Sequence, residues 1–189
     1  SNQIAYQPDN VTLVPVREVS ADRLAPFKIV HTPYAYQDTG VSKVNRGEAD
    51  ALIEKLQECL TDPRYAGKTF GVISLLSSSK QADYIQSQLM KTLPTDAWEE
   101  HQLRVGSPAE FQGAERDVIF LSMVSSKDEN KRLSALVTDE YVQRYNVAVS
   151  RAKDQVWLFH SISLDQLTNP EDMRYKLLEY AYSVATRTA

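Results

Sequence analysis

The stretch "TDEYVQRYNVAVSRAKDQVWLFH", residues 138 to 160, reads as a helix that runs almost without a break into a strand. Tyr141, Tyr145, Ala148 and Ala152 fall on one stripe at helical spacing, and Thr138 stands where an N-cap belongs, so a helix is expected over 138–153. "QVWLFH" (155–160) is a continuous apolar run, the pattern of a strand covered on both faces rather than one. Working outward, "DVIFLSMV" (117–124) and "FGVISLL" (70–76) have the same character, and "FKIVH" (27–31) is a shorter strand. Helices are expected between them. "NRGEADALIEKLQECL" (45–60) aligns Ala49, Leu52, Ile53, Leu56 and Leu60, with Asn45 and Glu48 at capping spacing. After the small turn Ser77-Ser78-Ser79, Ala82, Ile85 and Leu89 keep the same period, and 170–182 reads as a closing helix. Alternating strands and helices imply an α/β fold, a parallel sheet flanked by helices on both faces, in which ligands are expected at the carboxyl ends of the strands. Residues 1–26, with Pro8, Pro15 and Pro26 and weak periodicity, are expected to be an extended arm, and 27–189 the domain proper.

Composition narrows the function. The 189 residues are 24% charged with a net charge of −4, which excludes a uniformly basic nucleic-acid-binding surface and leaves only local basic patches. The one cysteine, Cys59, sits at helical spacing among apolar residues and points to a reducing, cytoplasmic setting. His31, His101 and His160 lack ligand spacing, so no metal site is expected in the chain. No apolar run reaches the roughly 18 residues that suggest a membrane span, so no membrane partner is expected.

Gly67-Lys68-Thr69 has the form of the end of a phosphate-binding loop. Such a loop needs a glycine five positions before the Gly-Lys pair, where this chain has Asp62, and it should open a helix, whereas here an apolar strand follows from Phe70. The chain therefore lacks a P-loop of its own. The chemistry lies in two other stretches. In "EFQGAERDVIFLSMV" (110–124), Gln112-Gly113 forms a turn in which glycine permits close backbone approach, and Glu115 and Arg116 precede the strand. In the helix over 138–153, Arg144, Val147, Ser150 and Arg151 share the face away from the stripe. Arg151 there could simply complement the negative end of the helix dipole.

The segment "YNVAVSRAKDQVWLF" resembles the last signature motif of superfamily 1 helicases, Asn-Val-Ala-x-[Thr/Ser]-Arg-Ala-[Lys/Arg] running into a strand. Phe111 to Ser122 is similar to the Phe-Gln-Gly-x-Glu-x-Asp motif of the same superfamily, which continues into an apolar strand ending in Leu-Ser. "NRGEA" resembles a helix start in the branch that includes the RNA-surveillance helicases and their bacterial relatives. "FGVISLLSSSKQADYI" resembles the strand-to-helix motif that opens their second RecA-like domain, with Leu76 where an aromatic is common and Gln81 displaced by the serines. The resemblance implies a RecA-like, P-loop NTPase-type sheet without its own P-loop, the C-terminal motor domain of a helicase or translocase. It implies that Arg151 is the transition-state arginine and that Gln112, Gly113 and Glu115 line the nucleotide cleft, with Glu115 on the ribose. ATP with Mg²⁺ is the implied cofactor, its metal ligands and phosphate loop belonging to a first, N-terminal RecA-like domain. Single-stranded DNA or RNA is the implied partner, with Ser107, Ser122 and Ser125 as candidate backbone contacts. A non-enzymatic α/β interaction module that kept the motor fold is the alternative.

Overall fold

The computed structural model describes residues 24–187. Five parallel strands form one sheet: β1 (Phe27–His31), β2 (Phe70–Ser74), β3 (Arg104–Gly106), β4 (Arg116–Ser122) and β5 (Ala152–His160). Their spatial order is β1-β5-β4-β2-β3, so every connection is a crossover. The helices α1 (Arg46–Thr61), α2 (Gln81–Thr92), α3 (Thr95–Glu100), α4 (Asp139–Ser150) and α5 (Met173–Arg187) supply most of those crossovers. The parallel, helix-flanked sheet is the α/β fold expected from the alternation of apolar runs and helical stripes, and it has the RecA-like architecture that the helicase resemblance implies.

The two-residue period of the strands sorts the core into two layers. Val118 and Phe120 of β4, with Phe70 and Val72 of β2, face Leu52, Leu56, Ile85 and Leu89 of α1 and α2. Ile119 and Leu121 of β4, with Val156 and Leu158 of β5, face Tyr145, Ala148 and Val149 of α4 and Leu177, Leu178 and Ala181 of α5. Both faces of β2 and β4 are buried, which is why those strands read as unbroken apolar runs rather than alternating ones.

Several boundaries differ from the sequence reading for local reasons. Helix α4 stops at Ser150 rather than 153, because the Arg116 N–H donates to the Arg151 carbonyl at 2.9 Å and Ala152 already pairs with Arg116. Ala152 therefore belongs to β5, not to the helical stripe. Thr138 is the N-cap residue, but its side chain makes no capping bond; its carbonyl receives the Val142 N–H at 3.1 Å. Strand β4 ends at Ser122 rather than 124, since Val124 adopts φ 70°. Helix α5 occupies 173–187 rather than 170–182. Strand β3, three residues beginning with an exposed arginine, and helix α3, which has no buried residue, carry no periodicity from which they could be read. The arm expected over 1–26 falls outside the described residues except for its last three. Of those, Leu24 joins the α1–α2 layer, and Ala25 and Pro26 accept bonds from Gln155 and Val156 of β5.

The Gly67-Lys68-Thr69 segment is a tight turn into β2, with Gly67 at φ 72°. Lys68 pairs with Asp154 at 2.8 Å, and the Thr69 N–H donates to Asp117 at 2.8 Å. Both groups are thus committed to neighbouring strands, and no phosphate cradle forms. Cys59 is a free, buried thiol, and burial pushes it up to about 11, so it fills space as expected.

Gly71 sits on the α4–α5 side of β2, where a Cβ would come within 2.6 Å of Ile119 Cδ1 and 2.8 Å of Phe111 Cε1. Neither group can retreat without disturbing a fully buried core. Gly71→Ala is expected to destabilise the chain by about 1–3 kcal/mol, the usual cost of overpacking, read by urea denaturation. An unchanged midpoint would contradict this packing.

Candidate functional site

The two motif stretches meet at the amino ends of the central strands. A short 3-10 turn (Ala109–Phe111) drives Phe111 fully into the core, and the chain then reverses through Gln112 and Gly113. Gly113 adopts φ 73°, with open space around its Cβ position, so glycine is required there by backbone conformation and not by crowding. Gln112, Gly113 and Glu115 are exposed. One bond joins this turn to the end of α4: the Arg116 N–H donates to the Arg151 carbonyl. Glu115 and Arg151 therefore precede paired positions of adjacent strands. The sequence reading put ligands at the carboxyl ends; these residues occupy the amino rim, because the turn feeds β4 and the helix feeds β5.

Arg151 is half-buried. Its guanidinium donates to the Ser150 hydroxyl through Nε at 3.3 Å and Nη2 at 3.1 Å, and that hydroxyl donates to the Val147 carbonyl at 2.9 Å. Ser150 is thus buried beneath the arginine rather than sharing a solvent face with it. No carboxylate among the described residues forms an ion pair with Arg151. Arg144, by contrast, pairs with Glu140 one turn earlier on α4. A fork of fixed charge, braced on one side and without an acidic partner, is suited to grip the oxygens of an incoming anion.

The serines lie at the opposite, carboxyl rim. Ser107 follows β3, and its N–H donates to Glu110 at 2.8 Å. Ser122 has no exposed surface; its hydroxyl donates to Glu48 at 2.7 Å and accepts from Gln81 Nε2 at 3.1 Å. It therefore has no face for a nucleic-acid backbone, a role the Leu-Ser strand end had suggested, because that end packs on α1. Ser125 is buried but borders an open cleft of about 390 Å³, where Arg174 donates to its hydroxyl at 3.2 Å. Lys43, Lys131, Arg132 and Arg174 line this cleft against Asp38 and Asp128, a local basic surface on an acidic chain. Arg174 is held in place by Asp172 at 2.7 Å, and both are almost fully buried.

The residues missed by sequence reasoning form the support of that cleft. Glu48, fully buried, accepts from the Ser122 hydroxyl and the Val124 N–H, each at 2.7 Å, and from the Ser161 hydroxyl at 2.7 Å. Asn45 caps α1 by accepting the Glu48 N–H at 3.1 Å, as its spacing indicated. The reciprocal half of the capping box is absent: the Asn45 N–H goes to Gln81 at 2.8 Å instead. Asn45 also donates to the Val124 carbonyl at 2.9 Å, so both backbone groups of Val124 are fixed. With φ 70° and a Ser125 N–H to Met123 carbonyl bond at 2.8 Å, Val124 is the centre of a γ-turn. A β-branched residue in this conformation is strained by about 1–3 kcal/mol and persists only when its surroundings hold it. The available signal was positional: Glu48 lies on the same helical stripe as Leu52 and Leu56, where a carboxylate must find partners.

Among the described residues there is no group of three potential metal ligands and no helix long and apolar enough to cross a membrane. The profile of the AAA domain family matches residues 7–162, most of the chain, and the chain belongs to that family. It is also similar to curated helicases. It is 41% identical over 69 residues to a protein of Drosophila melanogaster named probable RNA helicase armi, covering 33% of this chain and 6% of that one. It is 32% identical over 124 residues to the putative helicase MOV-10 of Gallus gallus, covering 58% of this chain and 12% of the relative. A putative helicase mov-10-B.1 of Danio rerio is 32% identical over 130 residues, again 12% of its length and 62% of this chain. The chain thus spans a small part of these relatives, and it is a superfamily 1 helicase-like domain.

Burial raises the Glu48 carboxyl from 4.5 to about 7, against the lowering effect of the hydrogen bonds it accepts from Ser161, Ser122 and the backbone of Val124 and Met123. A carboxyl whose pKa is higher in the folded state binds its proton more tightly there. Its contribution to stability is therefore complete below about 4.5 and is lost as pH rises through about 7. Glu48→Gln keeps the acceptor for Val124 and Ser122 and is expected to flatten stability against pH across this window. Glu48→Ala, which orphans the Val124 N–H, is expected to cost on the order of 3 kcal/mol. Urea denaturation at a series of pH values checks both; parallel profiles for wild type and Glu48→Gln would contradict the assignment.

Proposed function

We propose that this chain is the second, C-terminal RecA-like motor domain of an ATP-dependent superfamily 1 helicase or translocase. Its amino rim closes on a nucleotide whose phosphate loop and Mg²⁺ ligands belong to an N-terminal RecA-like domain of the same protein. The observation that carries this reading is the juxtaposition of Arg151, braced on Ser150 and without a carboxylate partner among the described residues, with the exposed Gln112-Gly113-x-Glu115 turn across one backbone bond. ATP supplies the phosphoryl group and Mg²⁺ neutralises part of its charge. Arg151 grips the phosphoryl oxygens as negative charge redistributes, and Glu115 accepts a hydrogen bond from the ribose. Gln112 and Gly113 complete the wall of the cleft. Single-stranded DNA or RNA follows the carboxyl rim, its phosphates over Lys43, Lys131 and Arg132, with Ser107 and Ser125 as backbone contacts. Ser122 contributes through Glu48 and not by touching the strand. The buried, free Cys59 supports a cytoplasmic protein.

The chain alone is expected not to hydrolyse ATP, since Lys68 and Thr69 are committed to Asp154 and Asp117. In the intact protein, Arg151→Ala is expected to lower kcat by about 10³-fold or more while leaving nucleic-acid affinity nearly unchanged. Arg151→Lys should rescue weakly, because a point charge does not reproduce a planar fork. Glu115→Ala should act more on KM. Steady-state ATPase assays with a circular-dichroism check of folding decide the matter. Full turnover by folded Arg151→Ala would overturn this role and mean that the arginine serves only its helix end.

A further inference from the structure

The segment leading from β1 into the basic cleft is fixed at alternate residues. Ala35 donates its N–H to the Thr32 carbonyl at 3.0 Å and is buried against the start of α1. There Gly47 leaves room for it: a Cβ on Gly47 would stand 2.8 Å from the Ala35 Cβ and 3.3 Å from its Cα. Two residues later the Gln37 N–H donates to the Ser126 hydroxyl at 2.7 Å, just beyond the strained γ-turn. Between and before these anchors stand Tyr34 and Tyr36, 72% and 70% exposed. The Tyr34 ring passes over the start of α1, its Cε2 3.6 Å from the Gly47 Cβ position. Two large aromatic side chains are thus held in solvent by a backbone pinned on either side, and the next residues, Gln37, Asp38 and Thr39, form the wall of the cleft that carries Lys43, Lys131 and Arg132.

We propose that Tyr34 and Tyr36 form a base-stacking platform for single-stranded nucleic acid whose phosphates lie along the cations of the adjoining cleft. This rests on the nucleic-acid reading given above and names the side chains that would select a single strand. Two features favour this occupant. Lys43, Lys131 and Arg132 line the cleft beside the tyrosines against Asp38 and Asp128, while Arg174 is neutralised by Asp172, and this excess of cations is complementary to a phosphate backbone. Flat rings beside such a groove offer stacking to any unpaired base, which a duplex keeps within its own stack. The anchoring by Ala35 and Gln37 means that little ordering is required on binding.

The test compares the intact protein with its Tyr34→Ala/Tyr36→Ala and Tyr34→Phe/Tyr36→Phe variants. The probes are a short oligothymidylate and an abasic strand of equal length, measured by fluorescence anisotropy over a range of salt. Wild type should prefer the base-bearing strand by at least about tenfold, the usual scale of stacking on one aromatic side chain. The alanine variant should lose that preference while keeping its affinity for the abasic strand and its salt dependence, and the phenylalanine variant should retain the preference. Equal loss on both strands would assign the tyrosines a structural role and overturn the proposal. A retained preference in the alanine variant would also overturn it, leaving the nucleic-acid reading standing and giving this face to another partner. Failure of wild type to bind either strand would overturn the nucleic-acid reading itself.

Discussion

One carboxylate without solvent exposure, Glu48, joins four parts of the molecule. It comes from the first turn of α1 and takes hydrogen bonds from the end of β4, from the γ-turn beyond it and from the residue after β5. Every donor is neutral, so the charge is offset by dipoles alone, and burial still lifts the group to about 7. Asn45 and Gln81 saturate what Glu48 leaves: Asn45 donates to Ser161 and to the Val124 carbonyl, and Gln81 donates to the Asn45 carbonyl and to Ser122. A network of this kind specifies geometry because each omission would leave a buried polar group unsatisfied. Here it fixes the register of α1 on the sheet and forces Val124 into a conformation it would not adopt by itself, which in turn turns Ser125 and Ser126 toward the cleft.

The arrangement divides the domain between two rims connected by the same pair of strands. β4 begins after the Gln112 turn and ends at the Glu48 network, and β5 begins after Arg151 and ends just before Ser161. The seven residues of β4 set the two rims about 20 Å apart. Both strands are buried on both faces along most of their length, so the core between the rims is closely packed and resists continuous deformation. A domain built this way suits a protein in which a nucleotide at one rim and a polymer at the other are held by one rigid body. The parallel sheet alone would not have said so, since many chemistries use such sheets; the functional reading rests on which side chains stand at each rim.

The sheet was legible because its long strands are covered on both faces and therefore appear as apolar runs, and because the stripes of α1, α2 and α4 keep the helical period. Chain segments without such a signature were not: β3 has three residues and starts with Arg104, and α3 buries nothing. The end of α4 was misplaced because Ala152 fits either a helical stripe or a buried strand, and only pairing with Arg116 decides between them. At the site, the proximity of Glu115 and Arg151 could be anticipated from the two motif stretches, but the rim they occupy could not. Ser122 looked available because a serine at a strand end usually faces solvent; its burial depends on Glu48, which local spacing presented as a capping residue. Long-range pairing, 74 residues apart for Ser122 and Glu48 and 113 for Ser161 and Glu48, carries no local sequence signature.

The central claim is that the amino rim, through Arg151, meets the reacting phosphoryl group of a nucleotide held by another domain. A crystal structure of the intact protein with Mg²⁺, ADP and aluminium fluoride, which imitates the transferring phosphoryl group, addresses it directly. The account predicts the Arg151 guanidinium within hydrogen-bonding distance of the fluoride ligands, with the Gln112-Gly113 turn and Glu115 against the nucleoside. A structure with the nucleotide bound elsewhere, and Arg151 still resting on Ser150 in open solvent, would contradict it.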